Sequence, residues 1–159
     1  CHYHCFIISG LSVMIQTIKK GFNIFHLENE KELKDCPVED VEQMQFTADL
    51  KYNYPELLYF HPVNEGAIPV HYRVKQTRKG LLKGASDIII LSPSSHYNYL
   101  VIELKRQNIR KSTPPSKEQV TFLNNAKENG GFACVAYGAK AAMFVVEQYV
   151  NNNLSYTDK

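Results

Sequence analysis

Three charged side chains sit where apolar ones are expected. Asp87 heads the run Ile88-Ile89-Ile90-Leu91, and Glu103 and Lys105 close the run Tyr99-Leu100-Val101-Ile102-Glu103-Leu104-Lys105. Charged groups are rarely buried unless they are paired or bound to a metal. If both runs are strands, side-chain alternation points Glu103 and Lys105 to one face, and a hairpin brings Asp87 alongside them. Two carboxylates converging on one point make a site for a hard divalent cation such as magnesium, which prefers oxygen ligands and keeps several waters. A neighbouring lysine can orient or activate a water, or neutralise charge developing on a phosphate. Metal-assisted hydrolysis of a phosphodiester requires these groups. Taken alone, however, a Glu-x-Lys tripeptide is common by chance, and a surface ion pair on an edge strand, with Asp87 as a cap, is its ordinary explanation.

Positioning these groups asks for particular elements. Residues 39–52 contain no Gly or Pro, follow Pro37 and end before Pro55, which predicts a helix. Val41, Met44 and Ala48 recur at i, i+3 and i+7 as its expected core stripe, with Glu39, Gln43 and Phe46 on a neighbouring face. Residues 57–61 read as a strand, and the polar, basic stretch 62–84 as a loop with a short basic helix. The runs 87–91 and 99–105 are separated by a segment with Pro93 and three serines, and predict a buried hairpin. Ser116 followed by Gln119 has the spacing of a capping box and starts a helix that Gly130-Gly131 ends. Residues 132–137 read as a buried strand and 139–150 as a closing helix with Ala142, Val145, Val146 and Tyr149 inward. The order predicts one mixed α/β domain over 37–151, after an N-terminal extension (1–36) and before a short tail (152–159).

The composition, 44% apolar and 21% charged over 159 residues, suits one domain with a sizeable core and excludes collagen-like, low-complexity and mainly disordered chains. The longest uncharged apolar stretch, residues 5–15, falls short of the roughly 20 residues of a membrane span. It also lacks the basic flank and cleavage site of a signal peptide, so the expectation is an intracellular protein with no membrane partner. Cys1, Cys5, Cys36 and Cys134 are too scattered for a disulfide framework. The opening Cys1-His2-Tyr3-His4-Cys5 has zinc-ligand types, but adjacent ligands on so short a stretch cannot easily wrap a tetrahedral ion. Residues 1–13, ahead of Met14, read as an extension.

The net charge of +2 conceals a division. Residues 28–65 hold ten acidic side chains against three basic ones, whereas residues 66–127 hold eleven basic against three acidic. A polyanion-binding face or a solvated basic surface both account for this. Of the ten tyrosines, Tyr72 and Tyr97 are candidates for base stacking, although core or amphipathic surface positions explain most.

The flanking residues make the acidic pair more specific. Lys83-Gly84-Ala85-Ser86-Asp87 before four aliphatics, Ile102-Glu103-Leu104-Lys105-Arg106, and Ser116-Lys117-Glu118-Gln119 together resemble the VRR-NUC branch of the PD-(D/E)xK nuclease superfamily. The resemblance covers residues 37–150, including Glu39-Asp40-Val41-Glu42-Gln43 and the segment from Tyr54-Pro55-Glu56-Leu57 to His61-Pro62-Val63-Asn64. It implies a restriction-endonuclease-like α/β core with a mixed central sheet flanked by helices. It implies that Asp87, Glu103 and Leu104 bind Mg²⁺ or Mn²⁺, and that Lys105 sits beside the attacking water. It places a glutamate on the first helix, where Glu39 fits best and Glu42 is the rival, and a glutamine on the helix after the hairpin, which Gln119 matches. Asn64 fits the family's Pro-Asn turn, and Glu65 stands where glycine is frequent and could approach the metal. Ser86 replaces the usual proline.

The leading expectation is therefore a Mg²⁺- or Mn²⁺-dependent, structure-specific DNA endonuclease acting on branched or flapped DNA. The resemblance is to Holliday-junction resolvases, which work as homodimers and leave a 5′-phosphate and a 3′-hydroxyl, in a bacterial cell or inside a host cell if viral. Arg73, Lys75, Arg78, Lys79 and Lys83 on one side, and Arg106, Arg110, Lys111 and Lys117 on the other, are the expected phosphate contacts. The rivals are a general or restriction-type DNase with the same site residues, a non-catalytic DNA-binding module that would not need Asp87, Glu103 and Lys105 together, and a small redox or zinc protein, for which no Cys-x-x-Cys is present.

Overall fold

The N-terminal segment, which the domain expectation had left as an extension, forms three strands. The computed structural model describes residues 3–9, 12–28, 36–63 and 68–157. It opens with β1 (His4–Ser9), β2 (Ser12–Lys19) and β3 (Phe22–Leu27). There follow α1 (Glu39–Asn53), β4 (Tyr59–Phe60), α2 (Val70–Arg78), β5 (Ile88–Ile90), β6 (Leu100–Lys105), a 3-10 turn (Ile109–Lys111), α3 (Lys117–Glu128), β7 (Phe132–Tyr137) and α4 (Ala139–Val150). Among the described residues no helix is long and apolar enough to cross a membrane.

The strands form one mixed sheet in the order β1-β2-β3-β7-β6-β5-β4. β7 runs parallel to both β6 and β3, and the other pairs are antiparallel. Alternation divides the core in two. Leu100, Ile102 and Leu104 of β6, with Phe132, Cys134 and Ala136 of β7, pack with Phe46 and Leu50 of α1 and with α4. Val101, Ala133 and Val135 pack with Leu123 and Ala126 of α3 on the other face. The α/β core expected from the sequence is what the chain forms.

Residues 4–27 extend this sheet. Lys20 and Gly21 join β2 to β3 with φ of 51° and 89°, the pair of positive values that a two-residue hairpin turn of the primed type requires. Inside, the Gln16 amide donates to Asn23 Oδ1 (2.7 Å) and to the Ser155 carbonyl (2.8 Å). Asn23 Oδ1 also accepts from the Thr157 amide and hydroxyl. Tyr156 stacks on Phe132 with centroids 4.3 Å apart, so residues 154–157 of the expected tail are packed against the sheet.

The face of α1 corrects the periodicity argument. Val41, Met44 and Ala48 point to solvent, Met44 being 64% exposed, and Glu42, Phe46 and Leu50 are buried instead. The i, i+4, i+8 row that meets the sheet begins with a carboxylate, and Glu42 Oε2 accepts the N–H of Ala139 (2.7 Å), an otherwise unsatisfied donor at the start of α4. An acid in that row is invisible to apolar periodicity. Truncating it strands a buried donor, so Glu42→Ala is expected to cost about 1–3 kcal/mol of stability in urea unfolding.

Candidate active site

β5 and β6 pair with Ile88 opposite Ile102, which carries Asp87, one step beyond, to the side of Glu103. Asp87 Oδ2 accepts the Leu104 N–H at 2.7 Å, which fixes the carboxylate. The Leu104 side chain itself is core, so this position offers the site its main chain alone. Lys105 Nζ lies 3.3 Å from Glu103 Oε1 and 3.8 Å from Glu39 Oε1 at the start of α1. Gln119 Nε2 donates to the same Glu103 oxygen. The expected capping box explains why the Gln119 amide faces this way. Its Oε1 accepts the Ser116 N–H (2.8 Å) while the Gln119 N–H donates to Ser116 Oγ (3.2 Å), which leaves the NH₂ group for Glu103.

Gly84 brings α3 into place. Its φ is +83°, and a Cβ there would lie 2.5 Å from the Glu118 carbonyl carbon and 2.8 Å from the Gln119 nitrogen. These are backbone atoms and cannot yield, so only glycine allows α3 this close to the strand that carries Asp87.

Electrostatically the site is under tension. Glu103 and Lys105 are buried at 0% and 5% exposure, and Glu103 Oε2 has no hydrogen-bond partner. Burial, then the Asp87 charge, push the Glu103 carboxyl up to about 8, against the opposing pull of Lys105. Burial likewise raises Asp87, although the Leu104 N–H and Lys105 counter it, and burial raises Glu39. A buried acidic pair with an orphaned oxygen fits a hard divalent cation, which would supply the missing positive charge. Among the described residues no three His, Cys, Asp or Glu side chains converge on one point. Two carboxylates suit Mg²⁺, which commonly takes one or two and completes its shell with waters and substrate phosphate.

The site opens into a cleft of about 1060 Å³ lined by Glu39, Gln43, His61, Arg73, Lys83, Asp87 and Gln119. His61 was not singled out from the sequence as a site residue. Its Nδ1 lies 2.6 Å from the Asp87 carbonyl and 2.9 Å from Gln43 Nε2, where β4, α1 and the acidic strand meet; with its proton on Nδ1 it donates to the carbonyl, and without it accepts from Gln43. Only its position in the His61-Pro62-Val63-Asn64 segment signalled it. Asn64 and Glu65 lie outside the described residues, as do Cys1 and His2.

The structure brings Glu39, Asp87, Glu103, Lys105 and Gln119 together and sets Glu42 apart at the α4 N-terminus. Arg73 and Lys83 line the cleft, and Lys75 and Arg78 lie on the exposed α2 with Lys79 at its end. Arg110 and Lys111 form the 3-10 turn, and Lys117 opens α3. Arg106 faces the main chain: its guanidinium donates to the Cys36 (3.0 Å) and Pro37 (3.1 Å) carbonyls just ahead of α1. Tyr97 packs edge-on against Phe132 and Tyr156, and Tyr72 is exposed on α2. Cys5, Cys36 and Cys134 are free thiols, and burial pushes the Cys134 thiol far above the reactive range.

The architecture is shared with a solved structure described as a VRR_NUC domain protein, with a TM-score of 0.59 at 22% identity, covering 76% of this chain and 98% of that one. The VRR-NUC fold implied by the sequence motifs is therefore the fold of this chain. No protein-family model matches the sequence, and no curated protein matches it.

Proposed function

We propose that this chain is a metal-dependent endonuclease that hydrolyses DNA phosphodiester bonds. The observation that carries the reading is the convergence of Asp87 and Glu103, one Glu103 oxygen being buried without a partner, beside a buried lysine. A divalent cation held by Asp87 and Glu103 would polarise the scissile phosphate and offset its charge. Lys105, fixed between Glu103 and Glu39, donates to the attacking water or to a phosphate oxygen as charge develops there. Glu39, whose carboxyl burial raises, is placed to take the water's proton. Gln119 holds Glu103 in its rotamer. Arg73 and Lys83, with Lys75, Arg78, Lys79, Arg110, Lys111 and Lys117 around them, add salt-dependent, sequence-independent phosphate affinity. Glu42 and Arg106 set the start of α1 and thereby Glu39.

Branched or flapped DNA is the proposed substrate, cut by a homodimer to leave 5′-phosphate and 3′-hydroxyl ends. The motif resemblance supports this finer reading. The test is incubation with matched four-way junction, 5′-flap, single-stranded and linear duplex DNA in Mg²⁺ or Mn²⁺, with EDTA controls. Symmetric junction cleavage abolished by EDTA is the expected result. Equal cutting of every substrate would leave a general DNase, and cutting of none while binding persists would leave a binding module.

A further inference from the structure

A second concavity lies on the α3 face of the sheet, where α3 covers β6 and β7 but leaves the β4–β5 edge partly open. It has a volume of about 670 Å³, within the range of small-ligand sites. Phe60, Ile89, Leu91, Tyr99 and Phe122 line it. Phe60 and Leu91 are each 46% exposed, and the Tyr99 ring is pinned by its hydroxyl, which donates to the Ala126 carbonyl at 2.8 Å. The rim is cationic and amide-bearing, with Lys83, Lys117 and Asn125. Lys83 is bridged to Glu118 at 2.7 Å, and this pair lines both the groove and the acidic cleft. Phe122 stands one turn of α3 beyond the Gln119 that holds Glu103.

An apolar, aromatic floor beside cations complements a ligand that carries planar apolar groups on an anionic chain. Single-stranded nucleic acid answers that description, because every base has a π-face and every linkage a phosphate. Duplex DNA does not, since its base faces are stacked on one another. We propose that this groove takes unpaired bases of the strand whose phosphate lies at Asp87 and Glu103, the backbone crossing at Lys83 and competing with Glu118 for it. The inference rests on the nuclease reading and adds to it unpaired nucleotides beside the cut, whether those of a flap or those freed where the arms of a junction open.

Binding by the full chain in EDTA, where no cleavage competes, tests this by fluorescence anisotropy. The probes are a labelled oligothymidylate of about ten nucleotides, its abasic counterpart of equal charge, and a linear duplex. The base-bearing strand is expected to bind about tenfold more tightly than the abasic one. The exposed-residue variants Phe60→Ser and Leu91→Ser, and Phe122→Ala in a melt-checked sample, should remove that advantage and leave duplex binding unchanged. Equal binding of the base-bearing and abasic strands, with duplex still bound, would overturn the groove proposal and leave the nuclease reading standing. Variants that turn a dimer into a monomer in sedimentation, with strand binding unaffected, would overturn it in favour of a self-association surface. Binding of no DNA at all would overturn the groove proposal, and cleavage of the same DNAs in Mn²⁺ would then decide the nuclease reading separately.

Discussion

Replacing Glu103 by Gln is expected to lower DNA cleavage by about 10²–10³-fold or more while making the metal-free protein more stable at alkaline pH. The two effects have one cause. Glu103 is fully buried, sits beside Asp87 and leaves Oε2 without a partner. Gln has nearly the same shape and keeps an oxygen for Gln119 and Lys105, but it removes the buried charge that a cation would need. Near pH 9, where the wild-type carboxyl is ionised, the gain should be at most about 5 kcal/mol, and below pH 4, where it is protonated in folded and unfolded chains alike, the two proteins should melt alike. Thermal melts at the two pH values, read beside cleavage rates, check both halves. A variant that lost stability at pH 9 would show Glu103 to be a structural ion-pair partner.

The second large effect is the pH dependence of the metal-free fold and its reversal by metal. The Glu103 carboxyl is raised from its ordinary 4.5 to about 8, so between those values the folded chain keeps a proton that the unfolded chain has released. Stability therefore falls as pH rises across that window and levels off above it. Asp87 and Glu39, also raised by burial, act in the same direction. A cation needs the ionised carboxylates, so Mn²⁺ binding near neutral pH should release about one proton, and its apparent affinity should climb from pH 6 to pH 8. Calorimetry in buffers of different ionisation enthalpy measures the released proton. Binding whose heat is indifferent to buffer, or whose affinity is flat with pH, would place the metal elsewhere.

Much of this arrangement was legible because charges interrupted apolar runs. Asp87, Glu103 and Lys105 stood out against the hairpin strands, and Gln119 was located by the capping-box spacing that also turns its amide toward Glu103. What stayed hidden followed from polar groups in buried places. Glu42 occupies the core-facing row of α1, so the apolar stripe drawn through Val41 and Met44 fell on the solvent side. Gln16 and Asn23 break the hydrophobic alternation of β2 and β3, and their mutual hydrogen bond appears only when the strands pair. Arg106 read as a phosphate contact by its charge alone, yet its partners are carbonyls distant in sequence. The aromatic groove was unreadable for a related reason, since Phe60, Tyr99 and Phe122 come from separate elements and meet only on the finished sheet face.

The most direct test of the central claim is the initial rate of DNA cleavage by Lys105→Met against wild type in Mn²⁺, with matched melting curves. The buried lysine touches both Glu103 and Glu39, and Met preserves its length without its charge. The account predicts a loss of about 10²-fold or more in a protein that still folds and binds DNA. A folded Lys105→Met protein that cut DNA at the wild-type rate would contradict it.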